Sequence, residues 1–286
     1  MNIVSNMAVF SSHREVFGLP VCDLDWSEAF TFVSALADMP LGQTVISFLN
    51  AHNANIMLRD AQYRQALDRH LVLPDGVGVD VASFAAFGRI FPANLNGTDF
   101  VPALLTFMTQ PKRVGLVGAR SHTLAKAREN LERHAPWHQF IAVHDGFFGD
   151  EESPAIAAEI ERHKLDVLLV AMGTPRQEKW VDAYIRPEHA RLVIGVGALF
   201  DFIAGEVPRA PRIVRKLRVE WLYRFLQEPR RLAGRYFVGG PIFAGHVVAH
   251  VSSLWLGVMQ RTIRNGWNRW QHRDQPRSLR RRSDGF

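Results

Sequence analysis

The sequence has 286 residues, of which 47% are hydrophobic, so the chain can bury a sizeable core and is not globally disordered. Its single cysteine, Cys22, excludes an intramolecular disulfide framework, and its N-terminus lacks the basic and apolar segments of a secretory signal, so we expect a cytoplasmic protein. The charge is uneven, because residues 207–286 contain 17 Lys and Arg against 4 Asp and Glu, a net +13, whereas residues 1–206 carry a net −7.

Short apolar runs alternate with helical patterns from residue 44 to residue 196. The predicted strands are Thr44–Leu49, Leu71–Leu73, Arg113–Val117, Phe140–Val143, Asp166–Ala171 and Arg191–Val196. The predicted helices include Asn53–Arg69, Thr98–Met108, Ser121–His134, Pro154–Lys164 and Thr174–Ile185. This alternation predicts an α/β fold over residues 1–207, a Rossmann-like and mainly parallel sheet with helices on both faces.

Ligands of such sheets bind beyond the carboxyl ends of the strands. The residues that follow the predicted strands are therefore the first candidates for a site: Asn50, Asp75, Gly118, Gly173 and Gly197. Asp75 stands between a strand and a helix-like run, where its carboxylate could act as a general base on a hydroxyl. From spacing alone, an aspartate that caps a helix or stabilises a turn is the alternative.

Two further segments open predicted helices with polar residues. In Gly97-Thr98-Asp99, Thr98 or Asp99 is predicted to cap the helix, whose free N–H groups could also receive a phosphate. In Gly173–Trp180, Gln177 offers both a donor and an acceptor to a sugar, although a plain helix start explains part of this segment.

Two other motifs give weaker signals. Gly115–Arg120 follows a strand but lacks the G-x-G-x-x-G spacing, so a nucleotide-dependent oxidoreductase remains only as an alternative. Asp23-Leu24-Asp25 has the form of a D-x-D metal motif, but Asp25 and Glu28 together predict a variant capping box at a helix start. We therefore expect neither a metal nor a cofactor.

Residues 208–286 are predicted to form a basic helical C-terminal appendage and tail. Apolar residues recur every four positions from Ile213 to Phe225 in an arginine-rich segment. Tyr236–Gln260 contains no charged residue and is nominally long enough to span a bilayer, but its histidines and Gly-Gly-Pro break favour an interfacial helix. Packing of this segment onto the body is the alternative.

Several segments together resemble the glycosyltransferases of the WecG/TagA/CpsF family over roughly residues 15–240. In chain order they are NAHN at Asn50, LVLPDGVGV, NGTDFVPALL, GTPRQEKW, GVGALFDFIAGEVPRAP and EWLYRFLQEPRRLAGRY. The resemblance implies a metal-independent, inverting transfer of an N-acetylmannosamine-like or related hexose from a UDP-sugar to a polyprenyl-diphosphate-linked acceptor. It also implies a role in cell-envelope or exopolysaccharide biosynthesis, peripheral on the inner face of the plasma membrane.

The resemblance assigns roles to individual residues. Asp75 looks like the general base that deprotonates the acceptor hydroxyl, Gln177 like the catalytic, active-site glutamine near the donor sugar, and Asp201 like an aspartate that contacts the donor nucleotide. Arg224 and Arg231 match arginines of the family's C-terminal appendage. Without a metal, the departing diphosphate needs positive charge of this kind.

Asn50, Thr98 and Asp99 belong to the matching motifs and are assigned to donor or substrate binding. The sequence departs from the family pattern in two places. Phe48-Leu49-Asn50 stands where many members have Thr-x-Asn, and Asn94-Leu95-Asn96 replaces an arginine often found before Gly-Thr-Asp. The specificity for the donor sugar is therefore expected to differ from that of family members that keep these residues.

The basic C-terminal part is expected to meet an anionic membrane surface rather than nucleic acid, because it is also rich in tryptophan and other apolar residues. A non-enzymatic module that binds membranes or polyanions is the remaining alternative. The oligomeric state is left open, with a homo-oligomer among the options.

Overall fold

The computed structural model describes residues 12–211, 214 and 220–273, and describes only the backbone at 224, 231 and 257–273. The strands are β1 (His13–Val16), β2 (Leu19–Cys22), β3 (Thr44–Leu49), β4 (Leu71–Pro74), β5 (Arg113–Gly118), β6 (Gln139–His144), β7 (Leu165–Ala171) and β8 (Ala190–Gly195). The helices of the first 211 residues are α1 (Trp26–Asp38), α2 (Ala51–Met57), α3 (Ala61–Leu67), α4 (Val77–Phe87), α5 (Gly97–Phe107), α6 (Ser121–His134), α7 (Ser153–Arg162), α8 (Arg176–Tyr184) and α9 (Leu199–Ile203). From residue 220 to residue 273, the helical segments are α10 (Glu220–Gln227), α11 (Pro229–Ala233), a π-helical turn (Gly234–Val238) and α12 (Gly239–Arg273).

Six strands form one parallel sheet in the order β4-β3-β8-β7-β5-β6, which confirms the predicted Rossmann-like fold. All six residues of β3 are buried, as expected for a parallel strand that is covered on both faces. On one face the sheet packs against α1, α5, α6 and α9. On the other face, α2, α3 and α4 pack over one half of the sheet, and α7 and α8 over the other half.

The connections run toward both edges of the sheet. The chain passes from β3 to β4 at one edge and from β5 to β6 at the opposite edge. Where the winding direction changes in this way, the loops at the carboxyl ends of the strands separate and leave a crevice. We therefore expect the site at the loops that follow β3, β4, β7 and β8.

One local prediction was wrong, and one pair of strands was not predicted. Asn53–Arg69 is not one helix, because Asp60 interrupts it and caps α3 by accepting a hydrogen bond from the Tyr63 N–H at 3.0 Å. The antiparallel hairpin of β1 and β2 was missed. Its strands have only four residues each, and they are joined at Phe17 and Gly18, both of which have positive φ.

The end of the described chain packs partly on the body. α12 begins at the Gly-Gly-Pro sequence, lies against α2 and α4, and buries Phe243 and Val247 in their shared core. Its first residue is fixed by a hydrogen bond of 2.7 Å from Asn55 Nδ2 to the Gly239 carbonyl oxygen. By length and composition alone, the helical stretch Gly234–Leu256 could cross a bilayer, and only 11% of its most apolar window is buried. The packing alternative thus holds for the first turns of α12, whereas the membrane interpretation stays a prediction.

Candidate active site

The carboxyl ends of β3 and β4 meet because the two strands are parallel, with Leu49 opposite Pro74. Asn50 and Asp75, the next residues of the two strands, are therefore neighbours, and Asn50 Nδ2 donates a hydrogen bond of 3.0 Å to Asp75 Oδ2. The Asp75 N–H also bonds to the Leu49 carbonyl oxygen at 2.9 Å. Both side chains line a cavity of about 400 Å³. The structure thus brings together two of the predicted site residues.

Asn50 is held in one orientation by the helix that it caps. Its Oδ1 accepts a hydrogen bond from the Asn53 N–H at 3.0 Å, and Asn53 Nδ2 in turn bonds to the Phe48 carbonyl oxygen at 2.8 Å. Because the carbonyl end of the Asn50 amide serves the helix, its amino end faces Asp75. The amide therefore presents a donor to the carboxylate before any ligand arrives.

The position where many family members have a threonine does not contribute a hydroxyl here. Phe48 packs in the core against Phe100, with ring centroids 6.5 Å apart. The neighbouring Ser47 is buried, and its Oγ lies 2.9 Å from His70 Nδ1. Neither side chain lines the cavity.

Glycines around Asp75 allow three chain segments to approach one another closely. Gly76 has φ of +88°, which disfavours side chains, and its N–H donates to Asn94 Oδ1 at 2.8 Å. A Cβ at Gly78 would lie 2.7 Å from the Ala51 Cβ, so the first turns of α2 and α4 can touch only at a glycine. Asn94 lines the cavity as well. The Asp75 loop is therefore fixed between β3, α4 and the segment before α5.

The start of α5 differs from the prediction. The N-cap is Asn96 rather than Thr98 or Asp99, because Asn96 Oδ1 accepts from the Asp99 N–H at 3.0 Å. Thr98 lines the cavity, whereas the Asp99 carboxylate forms an ion pair of 2.5 Å with Arg209. Arg209 also donates to the Thr98 carbonyl oxygen at 2.9 Å. Of the two predicted residues, Thr98 lies at the cavity and Asp99 anchors the segment behind it.

The C-terminal helices supply the other wall of the cavity. Trp221, Arg235, Tyr236 and Phe243 are among the lining residues, and Arg235 Nη2 lies 3.4 Å from Asn50 Oδ1. Arg235 was not predicted as a site residue, although the last matching motif contains it. The motif alone does not indicate that Arg235 reaches the cavity. Arg235 is 185 residues after Asn50 in the chain, and the two approach each other only because the C-terminal helices dock on the body.

His52 is a second lining residue that sequence analysis missed, although it too lies within a matching motif. Burial, together with the positive charge of Arg235, lowers the pKa of His52 from 6.5 to about 4. The imidazole is therefore neutral at pH 7 and can accept a hydrogen bond from a ligand hydroxyl.

Gln177 lies at the ends of β7 and β8, outside the cavity lining, and its side chain is buried. Gln177 Oε1 accepts from the Gly173 N–H at 3.2 Å and from the Gly197 N–H at 3.1 Å. Its Nε2 donates to Glu178 Oε1 at 2.9 Å, and burial raises the pKa of the Glu178 carboxyl. The amide therefore ties together the loops that follow these two strands.

The remaining predicted residues lie apart from the cavity or outside the described side chains. Asp201 is half-buried in α9, and its carbonyl oxygen accepts from the Glu206 N–H at 3.0 Å. Arg224 lies in α10 and Arg231 in α11, but their side chains are outside the described residues.

The Asp23-Leu24-Asp25 segment is structural. Asp25 and Glu28 form the predicted capping box, with N–H to carboxylate distances of 2.9 Å in both directions. Asp23 is buried in a two-pronged ion pair with Arg14, at 2.8 and 2.5 Å. The pair holds the hairpin together, and Arg14 joins it to the body by donating to Ser83 Oγ and to the carbonyl oxygens of Arg89 and Ile90.

The glycines of Gly115–Arg120 serve strand packing. A Cβ at Gly118 would lie 2.3 Å from the Ala171 carbonyl oxygen, and one at Gly115 would lie 2.2 Å from the Leu165 side chain. The Ala119 N–H bonds to the Ala171 carbonyl oxygen at 2.9 Å. These contacts explain the glycines without a dinucleotide, so nothing in this segment favours the oxidoreductase alternative.

Residues 14–255 match the model of the glycosyl transferase WecG/TagA/CpsF family. Two similar proteins are each named N-acetylglucosaminyldiphosphoundecaprenol N-acetyl-beta-D-mannosaminyltransferase. The one from Bacillus spizizenii is 31% identical over 219 residues, which cover 74% of this chain and 84% of that protein. The one from Bacillus subtilis is 31% identical over 196 residues, which cover 68% of this chain and 75% of that protein.

Proposed function

This chain belongs to the WecG/TagA/CpsF family of glycosyltransferases, and from that premise we propose that it transfers an N-acetylmannosamine-like hexose from a UDP-sugar to a polyprenyl-diphosphate-linked acceptor. The names of the two Bacillus relatives support both the sugar and the acceptor class. The observation that carries the proposal is the Asn50–Asp75 pair at the floor of a cavity walled by the C-terminal helices.

Asp75 is the general base of this reaction. Its carboxylate takes the proton of the acceptor hydroxyl while that oxygen attacks the anomeric carbon of the donor, so that the configuration inverts. The bond from Asn50 Nδ2 holds the carboxylate in place at 3.0 Å. A fixed base reduces the reorganisation required as the hydroxyl approaches.

Positive charge for the departing diphosphate comes from the C-terminal helices. Arg235 lies in the cavity wall, and Arg224 and Arg231 are kept as the partners that the family resemblance implies. Guanidinium groups form charge-assisted, often bidentate hydrogen bonds to phosphate oxygens. Supplied from the appendage, they would stabilise the leaving group without a metal ion.

We place the donor at the loops after β7 and β8, and β8 is the strand next to β3 in the sheet. Gln177 holds these two loops at a fixed separation, and Asp201 lies at the start of the helix that follows β8. Gln177 is thus a positioning residue for the donor loops, and Asp201 is the candidate contact to the nucleotide.

We place the enzyme on the inner face of the plasma membrane as a peripheral protein, with residues 1–207 as the catalytic core and 208–286 as the appendage. The net +13 of residues 207–286 supports this, because each Lys or Arg close to an anionic leaflet contributes about 1 kcal/mol of binding free energy. The acceptor also supports a location at the membrane, because its lipid chain cannot leave the bilayer without exposing many methylene groups to water.

The test is a screen of UDP- and GDP-sugars with a short-chain polyprenyl-diphosphate-linked N-acetylglucosamine, with products identified by mass. The expected result is one added N-acetylhexosamine or hexose from a UDP donor, retained in excess EDTA. Asp75→Asn provides the matched protein without the base. Hydrolysis or oxidation of nucleotide substrates with no lipid-linked product would contradict the proposal.

A further inference from the structure

Helix α4 buries its two polar side chains, beside Val79 and Ala82, and exposes large apolar residues. Asp80 and Ser83 are buried, with Asp80 Oδ1 accepting from the Phe91 N–H at 3.2 Å and Ser83 Oγ donating to the Arg89 carbonyl oxygen at 2.9 Å. Arg14 Nη1 donates to the same Ser83 Oγ at 2.8 Å. A surface helix normally has the opposite arrangement, with its polar side toward water.

The outward side of α4 is entirely apolar. The exposed large apolar residues on the helix and just after it are Val77, Val81, Phe84, Phe87 and Ile90, with the exposed Arg89 beside the last of them. Phe84 alone is 61% exposed. Single exposed apolar side chains are ordinary, but four on one helix, followed by Ile90 just after it, indicate a surface that an apolar partner covers. We call this row the α4 face.

Helix α12 extends the α4 face with a second apolar surface. The two helices pack together, and both begin at the cavity, which Val77 and Gly78 line from one side and Gly239 and Phe243 from the other. Beyond its contact with the body, α12 exposes Val248 and the run Leu254–Leu256. Residues 239–256 contain no Asp, Glu, Lys or Arg.

We infer that the α4 face, together with the exposed side of α12, docks into the interfacial layer of an anionic lipid bilayer. This inference rests on the proposed function and deepens it, because it adds part of the catalytic core to the membrane contact and places the cavity opening at the headgroups. A lipid-linked diphosphate could then reach Asp75 while its hydrocarbon chain stays in the bilayer.

Charge distinguishes a lipid surface from a second copy of this chain. Residues 207–286 carry a net +13, which attracts anionic headgroups. A two-fold contact between copies would place the same surface on both sides of the interface and bring two such appendages together. That arrangement would repel, whereas the same charge favours a bilayer.

The experiment measures binding of the full-length protein to vesicles of phosphatidylcholine and phosphatidylglycerol by flotation. The double variant Phe84→Ser/Phe87→Ser removes apolar contact without changing charge, and neither residue lines the cavity. We expect about tenfold weaker vesicle binding or more, because two large apolar side chains no longer leave water. Val81→Ser should weaken binding in the same direction by a smaller factor.

The matched control is Leu41→Ser. Leu41 is 72% exposed and lies just before β3, at the amino ends of the strands and thus opposite the cavity. Its vesicle binding should equal that of the unmodified protein. Circular dichroism and thermal melting show whether each variant keeps the native fold, and Val81→Ser provides the second probe if the double variant unfolds.

Activity separates this inference from the proposed function. The double variant should turn over a water-soluble acceptor analogue at the normal rate and lose turnover only on acceptor embedded in vesicles. Unchanged vesicle binding of the double variant would overturn the inference. If the double variant also changed from dimer to monomer in sedimentation velocity, a second copy of the chain would be the occupant of the α4 face. A protein that binds vesicles through the α4 face but transfers no sugar would instead overturn the proposed function alone.

Discussion

The two ends of the crevice use their polar side chains in different ways. At the ends of β3 and β4, Asn50 and Asp75 bond to each other and line the cavity. At the ends of β7 and β8, the Gln177 amide bonds to two loop N–H groups and to Glu178, and the side chain is buried. Position at a strand end is therefore not sufficient for ligand contact. What matters is whether the side chain lines the cavity or is buried among the loops that it joins.

The difference follows from what lies opposite each loop. The β3–β4 end faces the C-terminal helices across a cavity, so its polar groups retain access to a ligand. Gly173 and Gly197 have φ of +79° and +55°, and their N–H groups turn toward one glutamine. Substitutions at the first end should therefore act on catalysis, and substitutions at the second end should act first on stability.

The largest effect is expected for Asp75→Asn. The variant should keep its fold and donor binding while turnover falls by about two to four orders of magnitude, because the amide cannot accept the hydroxyl proton. Steady-state kinetics and thermal melting measure both quantities. Asp68→Asn, at an exposed aspartate paired with Arg64, is the matched control and should turn over normally. Near-normal turnover of Asp75→Asn would remove Asp75 from the role of base.

Arg235→Ala should have the next largest effect. Loss of the guanidinium in the cavity wall should lower turnover by about a hundredfold, because developing charge on the diphosphate loses a donor. Arg235→Lys should recover part of the loss, since it keeps the charge but not the bidentate geometry. Arg230→Ala, at an exposed position in α11, is the control. An equal loss in both alanine variants would point to general charge rather than to a contact in the cavity.

Gln177→Ala tests the other end of the crevice. The variant leaves the Gly173 and Gly197 N–H groups without their acceptor and should lower the free energy of unfolding by about 1–3 kcal/mol. Urea denaturation measures this change, and kinetics at saturating donor measure turnover. A drop in turnover beyond a hundredfold with unchanged stability would show that Gln177 contacts the donor directly, which would erase the contrast between the two ends.

The smallest effect concerns the buried pair of Ser47 and His70 beneath the β3 end. Burial lowers the pKa of His70 from 6.5 to about 4. Between these values the unfolded chain binds a proton that the folded protein does not, so the free energy of unfolding falls as pH decreases. The slope is at most about 1.4 kcal/mol per pH unit. His70→Asn should flatten the pH dependence between pH 6.5 and 4, and an unchanged slope would contradict this account.

The sequence predicted the sheet well because continuous apolar runs are a strong signal for parallel strands. Thr44–Leu49 was predicted with the bounds that the structure has, since all six residues are buried and polar residues follow at once. The β1–β2 hairpin was missed because each strand buries only a few residues and the turn depends on Gly18 with φ of +72°. Short pairing of this kind depends on packing with the body, here through the bonds of Arg14 to Ser83 and to the carbonyl oxygens of Arg89 and Ile90.

The site was predictable only where strand ends define it. Asn50 and Asp75 follow directly from the fold and from parallel pairing. Arg235 and His52 could not be predicted as site residues in the same way. The position of Arg235 depends on the docking of a distant helix, and the lowered pKa of His52 depends on burial and on the charge of Arg235. The capping of α5 by Asn96 was missed for a smaller reason, since Asn96, Thr98 and Asp99 are all acceptable capping residues.

The bond from Asn55 to the Gly239 carbonyl oxygen has a consequence for protein synthesis. Arg235 leaves the ribosome 185 residues after Asn50, when all six strands of the sheet have already been made. N-terminal parts of a chain generally fold first during synthesis. The floor of the cavity can therefore form on the ribosome, but its wall is completed only after the C-terminal helices emerge. A nascent chain thus lacks Arg235 at the cavity until the C-terminal helices have been made.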